Sequence, residues 1–112
     1  SKQLRAQAEL RLKQKEEWVR REISDAFHTA QTSLERAQAA RRGVESARSA
    51  FQAEERRLAA GKSTLLLVLQ LQDRLTNLEA MAIRAEADYN RALSQLGFAD
   101  ASLLDQSGVW IE

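Results

Sequence analysis

Residues 58–75 of the chain read LAAGKSTLLLVLQLQDRL. The stretch contains a single glycine, Gly61, followed closely by Ser63 and Thr64 and then by leucine-rich sequence. Glycine is common where a helix ends, and serine or threonine is common as the N-cap where the next helix begins. The stretch therefore predicts a turn at Gly61 between two helices, with Ser63 or Thr64 as the N-cap of the second.

Apolar and small residues repeat every seven positions on both sides of this turn. After the turn, one row is Val68, Leu75, Ala82, Tyr89 and Leu96, and a second row is Leu71, Leu78, Ala85 and Ala92. Before the turn, one row is Ile23, Ala30, Ala37, Val44, Phe51 and Leu58, and a second is Ala26, Ser33, Ala40, Ala47 and Glu54. A sustained repeat of 3.5 residues is typical of left-handed coiled coils. The pattern predicts an all-α fold, a long antiparallel coiled-coil hairpin.

The same pattern sets the expected boundaries. We expect a first helix over 1–60, a hairpin tip over 61–64, a second helix over 65–96 and an irregular tail over 97–112. Glycine, aspartate and serine punctuate that tail, which leaves room for a short helix at 100–106 and an extended end at 109–111. Because residue 1 already lies in a helical pattern, we expect a segment of a longer protein. Residues 1 to about 25 extend beyond the predicted second helix, so we expect them to pack against residues that follow Gly97 or against another chain.

Composition narrows the class of protein. Of the 112 residues, 29% are charged and 5% aromatic, with no cysteine or proline, which is typical of long helices rather than a compact core. The formal net charge of +1, with both signs mixed along the chain, argues against binding to nucleic acid. The longest apolar run is far short of the roughly 20 residues that span a bilayer.

No arrangement of residues predicts catalysis. Gly61, Lys62 and Ser63 resemble the end of a phosphate-binding loop, but Arg56 stands where its first glycine would be. His28 is the only histidine, so we expect no metal site. We predict that the chain is not an enzyme and needs no cofactor, because a two-helix strip offers no enclosed pocket to shift the pKa of a carboxyl group.

The tip is the most distinctive surface that the sequence predicts. Small and polar residues surround Gly61, and the run from Leu65 to Leu69 makes the start of the second helix apolar on all sides. One partner helix covers only one face, so these leucines indicate further contacts. Small residues at Ala39, Ala50 and Ala53 similarly suggest that a second neighbour packs on the first helix.

At these residues the chain resembles the TolC family of bacterial outer-membrane channel proteins. The resemblance covers roughly residues 20–100. It is carried by the alanine-rich helix ending at Gly61, by Thr64, by the apolar turn with Val68, Leu69 and Gln70, and by Leu75. The final part is an alanine, tyrosine, alanine and leucine series, Ala85, Tyr89, Ala92 and Leu93.

The resemblance implies a function. TolC-family channels are trimers whose helices form a tunnel through the periplasm, and whose tips engage a periplasmic adaptor protein coupled to an inner-membrane pump. The predicted partner-binding tip is Ala60, Gly61, Lys62, Ser63 and Thr64. Many members carry acidic residues at the pore constriction, where this chain has Leu67 and Gln70. The resemblance thus implies the periplasmic part of a passive export conduit in the outer membrane, with an apolar or amide constriction.

Two other functions fit the hairpin pattern. A periplasmic adaptor also has a helical hairpin, and Arg57, Leu58 and Ser63 match the residue types at its tip. Alternatively, the chain is a generic coiled-coil interaction arm. An RNA-binding arm is disfavoured because arginines alternate with glutamates along the first helix.

Overall fold

A computed structural model of the chain describes the backbone of residues 1–107 and the side chains of residues 1–101. The first helix, α1, spans Lys2–Ala59, and the second, α2, spans Leu65–Ser107. No strand occurs within the described residues, and the fold class is confirmed as an all-α helical hairpin. The extended end expected at 109–111 lies outside the described residues.

The described chain divides into two units, each built from both helices. One unit, Thr32–Tyr89, contains the turn and is called the tip unit here. Its core is formed by Val44, Ala47 and Leu75, with Phe51, Leu78 and Ala82 packed against it. These six residues all belong to the predicted heptad rows. The hydrophobic repeat therefore brings the two helices together as predicted, because each row presents one apolar side chain every two turns.

Burial along the whole of each row agrees with the prediction. Every position of the four rows is buried or half-buried, from Ile23 to Leu58 on α1 and from Val68 to Leu96 on α2. The polar member Ser33 is only 8% exposed. Small side chains dominate the α1 rows, so the backbones of the two helices can approach closely along the seam.

The other unit comprises Ser1–Gln31 and the described part of Asn90–Glu112. Residues 1–18 of α1 are all exposed, whereas Val19 is 1% exposed and is the most deeply buried side chain described. Val19 lies seven residues before Ala26, so it extends the second α1 row by one heptad. Ala99, 8% exposed, extends the second α2 row in the same way, seven residues after Ala92.

The second helix is longer than expected. The sequence predicts its end at Leu96 and an irregular tail over 97–112, but α2 continues through Gly97 to Ser107. A glycine inside a helix costs only about 1 kcal/mol relative to alanine. Burial of Ala99 continues the seam beyond the glycine, which helps to offset that cost. The short helix expected at 100–106 is therefore part of α2.

Candidate functional site

The turn at the tip is a glycine-terminated helix end. Gly61 has a φ of 73°, a left-handed conformation that glycine adopts at little cost. Its N–H donates to the carbonyl of Leu58 at 3.0 Å, and the N–H of Lys62 donates to the carbonyl of Arg57 at 2.8 Å. These two hydrogen bonds are those of the Schellman motif, which satisfies carbonyl groups that the helix end leaves unpaired. Gly61 thus ends α1 as predicted.

Thr64 begins the second helix. Its side-chain oxygen accepts a hydrogen bond from the N–H of Leu67 at 3.2 Å, and its carbonyl accepts from the N–H of Val68 at 3.2 Å. This is the geometry of an N-cap residue. Of the two residues predicted for that role, the structure selects Thr64.

Ser63 has a different function in the turn. Its hydroxyl donates to the carboxylate of Glu54 at 2.8 Å, which ties the start of α2 to the last turns of α1. The same carboxylate faces Nε of Arg57 at 3.5 Å, and the guanidinium of Arg57 donates to the carbonyl of Lys62 at 3.1 Å. Four residues therefore form one hydrogen-bonded network, called the tip network below.

Glu54 occupies a seam position, and its side chain is only 13% exposed. A charged group in such a sheltered position needs partners to compensate for lost hydration. Ser63 and Arg57 supply them. The sequence signal was the single acidic residue in a row otherwise made of small residues, but its partners depend on the path of the turn.

The predicted partner-binding residues lie together at the end of the hairpin. Ala60, Gly61, Lys62 and Thr64 are exposed, and Ser63 is half-buried because of its bond to Glu54. The structure therefore leaves the amino group of Lys62 and the small residues around Gly61 open to solvent.

Four leucines follow directly and are also exposed. The exposed fractions are 61% for Leu65, 67% for Leu66, 40% for Leu67 and 50% for Leu69, whereas Val68 between them is 6% exposed. Side chains in a helix tilt toward its N-terminus, so those in the first turn of α2 lean toward the tip. The end of the hairpin is consequently apolar as well as small and basic.

The sides of the tip unit differ in chemistry. On one side, called the ion-pair flank, Arg41 lies 2.7 Å from Glu86, and Arg48 lies 3.9 Å from Glu79. The hydrogen bond and the charge of Glu86 raise the pKa of the Arg41 guanidinium. Both pairs connect α1 to α2 at a spacing of seven residues, as expected for charged positions that flank an antiparallel seam.

On the opposite side lies the small-residue flank. Here a groove of about 290 Å³ is lined in part by Gly43, Ser46, Ala50 and Arg74. A Cβ atom added to Gly43 would meet no atom within 4 Å, so the flank is open at this glycine. Leu67 and Gln70, the predicted constriction positions, precede Arg74 by seven and four residues and lie on the same side of α2.

The described chain is a coiled-coil hairpin with a hydrogen-bonded turn, exposed leucines at the tip and two chemically distinct flanks. The chain belongs to the outer membrane efflux protein family, whose model matches residues 1–102. The predicted resemblance to TolC-family channels is thereby confirmed.

No curated protein and no solved structure is detectably similar to the chain. Family membership makes it a component of an outer-membrane efflux channel. Members are channels rather than enzymes, which supports the prediction that this chain is not an enzyme. They are trimeric and act with adaptors in tripartite pumps. Membership of this family disfavours both alternatives, the adaptor hairpin and the generic interaction arm. Within residues 1–107, neither helix combines the length and apolar character needed to cross a membrane.

Proposed function

We propose that the chain forms part of the periplasmic wall of a passive export conduit, and that its tip docks a periplasmic adaptor. In this proposal the hairpin does no chemistry. It packs beside other helices around a channel, in a trimer of the whole protein, and an inner-membrane pump acts on the conduit through the adaptor.

The observation that carries the proposal is the reversal of polarity at the tip. Glu54 is sheltered inside the seam, while Leu65, Leu66 and Leu69, which lie away from the proposed constriction, are exposed. Burial of apolar surface stabilises a complex by about 25 cal/mol per Å², so exposed leucines at a rigid apex favour a docked partner. The turn presents the residues with little freedom to move, because the tip network and two helix caps hold it. Such preorganisation lowers the entropic cost of binding.

Packing against neighbouring helices requires exposed apolar or small residues away from the seam. On α2, Ile83 is 69% exposed. Ala80 and Ala87 lie on the surface that points away from α1, and both are exposed. A neighbouring helix can approach closely over alanines, so this outward row is suited to contacts within a wall of helices.

Two predictions need the same surface. One is that a neighbouring helix packs on Ala39, Ala50 and Ala53, and the other is that Leu67 and Gln70 line the constriction. Ala50 lines the same groove as Arg74, which is also the side of Leu67 and Gln70. A packed helix there would shield the charge of Arg74 from water, which is costly without a partner. We therefore place this flank toward the lumen and assign neighbour packing to the outward row.

Site-directed cross-linking tests the docking proposal. The chain has no cysteine of its own, so Lys62→Cys introduces one thiol at the tip of the full-length channel. With a thiol-to-amine cross-linker, we expect an adduct between this variant and the adaptor in cells. Arg42→Cys, also exposed but on the body of α1, serves as the matched control and should give no adaptor adduct.

The proposal fails if Lys62→Cys gives no more adaptor adduct than Arg42→Cys while both variants assemble and export normally. A second readout uses Gly61→Arg, which places a long side chain at the apex and should abolish export. Gly61→Asn is the control for misfolding, because asparagine adopts a positive φ more readily than arginine does and has a shorter side chain. Normal export by an assembled Gly61→Arg channel would contradict docking at this position.

A further inference from the structure

The charged residues of the tip unit are unequally divided between its two flanks. By heptad position, the small-residue flank carries four arginines against one aspartate, namely Arg36, Arg57, Arg74 and Arg84 against Asp88. By the same criterion, the ion-pair flank carries two arginines against four glutamates, namely Arg41 and Arg48 against Glu45, Glu55, Glu79 and Glu86. The formal net charge of the whole chain is only +1, so the excess of positive charge on one side reflects where residues lie on the helices.

Arg74 is the arginine of this flank that lies nearest to the proposed constriction without being used in the turn. Arg57 is engaged by Glu54 and by the carbonyl of Lys62, whereas Arg74 is exposed and forms no ion pair with any described residue. Its neighbours one turn away, Gln70 and Asn77, are uncharged. The groove beside it is lined by Gly43, Ser46 and Ala50, which also carry no charge.

The distance from Arg74 to the constriction is short. Four residues of α-helix separate Gln70 from Arg74, which corresponds to a rise of about 6 Å. A positive charge at that distance acts on an ion at the constriction, because the Debye length is about 10 Å at 0.1 M salt.

We propose that Arg74 sets the charge preference of the conduit and makes its periplasmic mouth favour anions and anionic cargo. This inference rests on the proposed function, in which the small-residue flank faces the lumen. In a trimer, three copies of Arg74 form a ring of positive charge just beyond Leu67 and Gln70. Rings of arginine or lysine favour anions in pores, because a narrow passage with one sign of charge concentrates the opposite ion.

A different role for Arg74 would be an ion pair with a carboxylate of a neighbouring hairpin. In that case its charge is neutralised in the assembled wall and has little effect on permeating ions. The two roles make opposite predictions for ion selectivity, so an electrical measurement separates them.

The test is the reversal potential of the full-length channel in a planar lipid bilayer under a KCl gradient. We expect the unmodified channel to prefer chloride over potassium. Arg74→Gln should shift the reversal potential toward that of a cation-preferring pore, and Arg74→Glu should shift it further in the same direction. Arg48→Gln removes the same charge from the ion-pair flank and should leave the reversal potential unchanged. The preference of the unmodified channel should also weaken at 1 M salt, where the Debye length falls to about 3 Å.

The outcomes distinguish this inference from the proposed function. A purified, trimeric channel that conducts but prefers cations, or equal shifts from Arg74→Gln and Arg48→Gln, would overturn the role of Arg74 and leave the conduit intact. A correctly assembled channel that conducts no ions would instead overturn the conduit itself. A selective shift in the two Arg74 variants alone supports both.

Discussion

Two regions of the tip unit distribute polar and apolar residues in opposite ways: the coiled-coil seam around Val44 and Leu75, called the body here, and the tip around the turn at Gly61. In the body, Val44 and Leu75 are buried and the ion pairs lie outside the seam. At the tip, the carboxylate of Glu54 is sheltered and Leu66 is 67% exposed. The body thus follows the rule that stabilises a two-helix fold, whereas the tip departs from it. Glu54 is compensated by the tip network, whereas the exposed leucines have no such compensation and support the proposed docking of a partner.

The largest effect on stability should come from the body. Leu75→Ala removes a large side chain from the core of the tip unit and should lower the free energy of unfolding by about 2 kcal/mol or more. The matched variant at the tip, Leu66→Ala, should change it by no more than about 0.5 kcal/mol, because an exposed side chain loses little on truncation. Urea unfolding of both variants measures the contrast. Equal losses would mean that Leu66 is part of the core after all.

The tip network should have a smaller effect. Glu54→Ala leaves the hydroxyl of Ser63 and the guanidinium of Arg57 without their shared acceptor, and we expect a loss of about 1–2 kcal/mol. Glu55→Ala makes the same substitution at the adjacent exposed position and should be close to neutral. If both variants unfold at the same urea concentration, the network seen at the turn does not stabilise it.

Two glycines sharpen the same contrast. Gly61→Ala places a Cβ atom in the left-handed region and should destabilise the chain by about 1 kcal/mol. Gly43→Ala lies inside α1, where a Cβ atom meets nothing within 4 Å, and should stabilise the helix by up to about 1 kcal/mol. Opposite signs in thermal unfolding are expected. The same sign for both would contradict the turn geometry at Gly61.

The smallest effect should come from the ion pairs of the body. Arg41→Gln removes the 2.7 Å contact with Glu86, but both side chains are largely exposed, so solvent screens most of the interaction. We expect only a slight decrease in stability at low salt and none at high salt. Thermal unfolding of this variant at two salt concentrations measures it. A large decrease that persists at high salt would show that the pair is less screened than its exposure indicates.

Much of the fold could be predicted from the sequence because one repeat governs it. Each heptad position has the same environment along the seam, so the rows from Ile23 to Leu58 and from Val68 to Leu96 specify which residues are buried. Val19 and Ala99 follow the same rule one heptad beyond the predicted rows. The end of α2 was wrong for a different reason. Gly97 predicts a helix stop, but a single glycine costs only about 1 kcal/mol in a helix, and burial of Ala99 beyond it helps to offset that cost.

The tip could be predicted only in part. Gly61 identified the turn, but choosing between Ser63 and Thr64 as the N-cap requires the path of the backbone. The bond between Ser63 and Glu54 joins residues nine positions apart, and no local pattern in the sequence indicates it. The division of charge between flanks was also implicit in the heptad positions. It becomes evident only when Leu67, Gln70 and Arg74 are seen on one side of α2.

Solvent protection of the tip leucines tests the central claim most directly. The rate at which a thiol reagent labels Leu66→Cys is measured in the assembled channel, with and without the adaptor, and compared with Arg42→Cys on the body. Docking at the tip predicts that the adaptor slows labelling at position 66 at least about tenfold, equivalent to roughly 1.4 kcal/mol of protection, and leaves position 42 unchanged. Unchanged labelling at position 66 in a channel that demonstrably binds its adaptor would contradict the assignment of the tip as the docking surface.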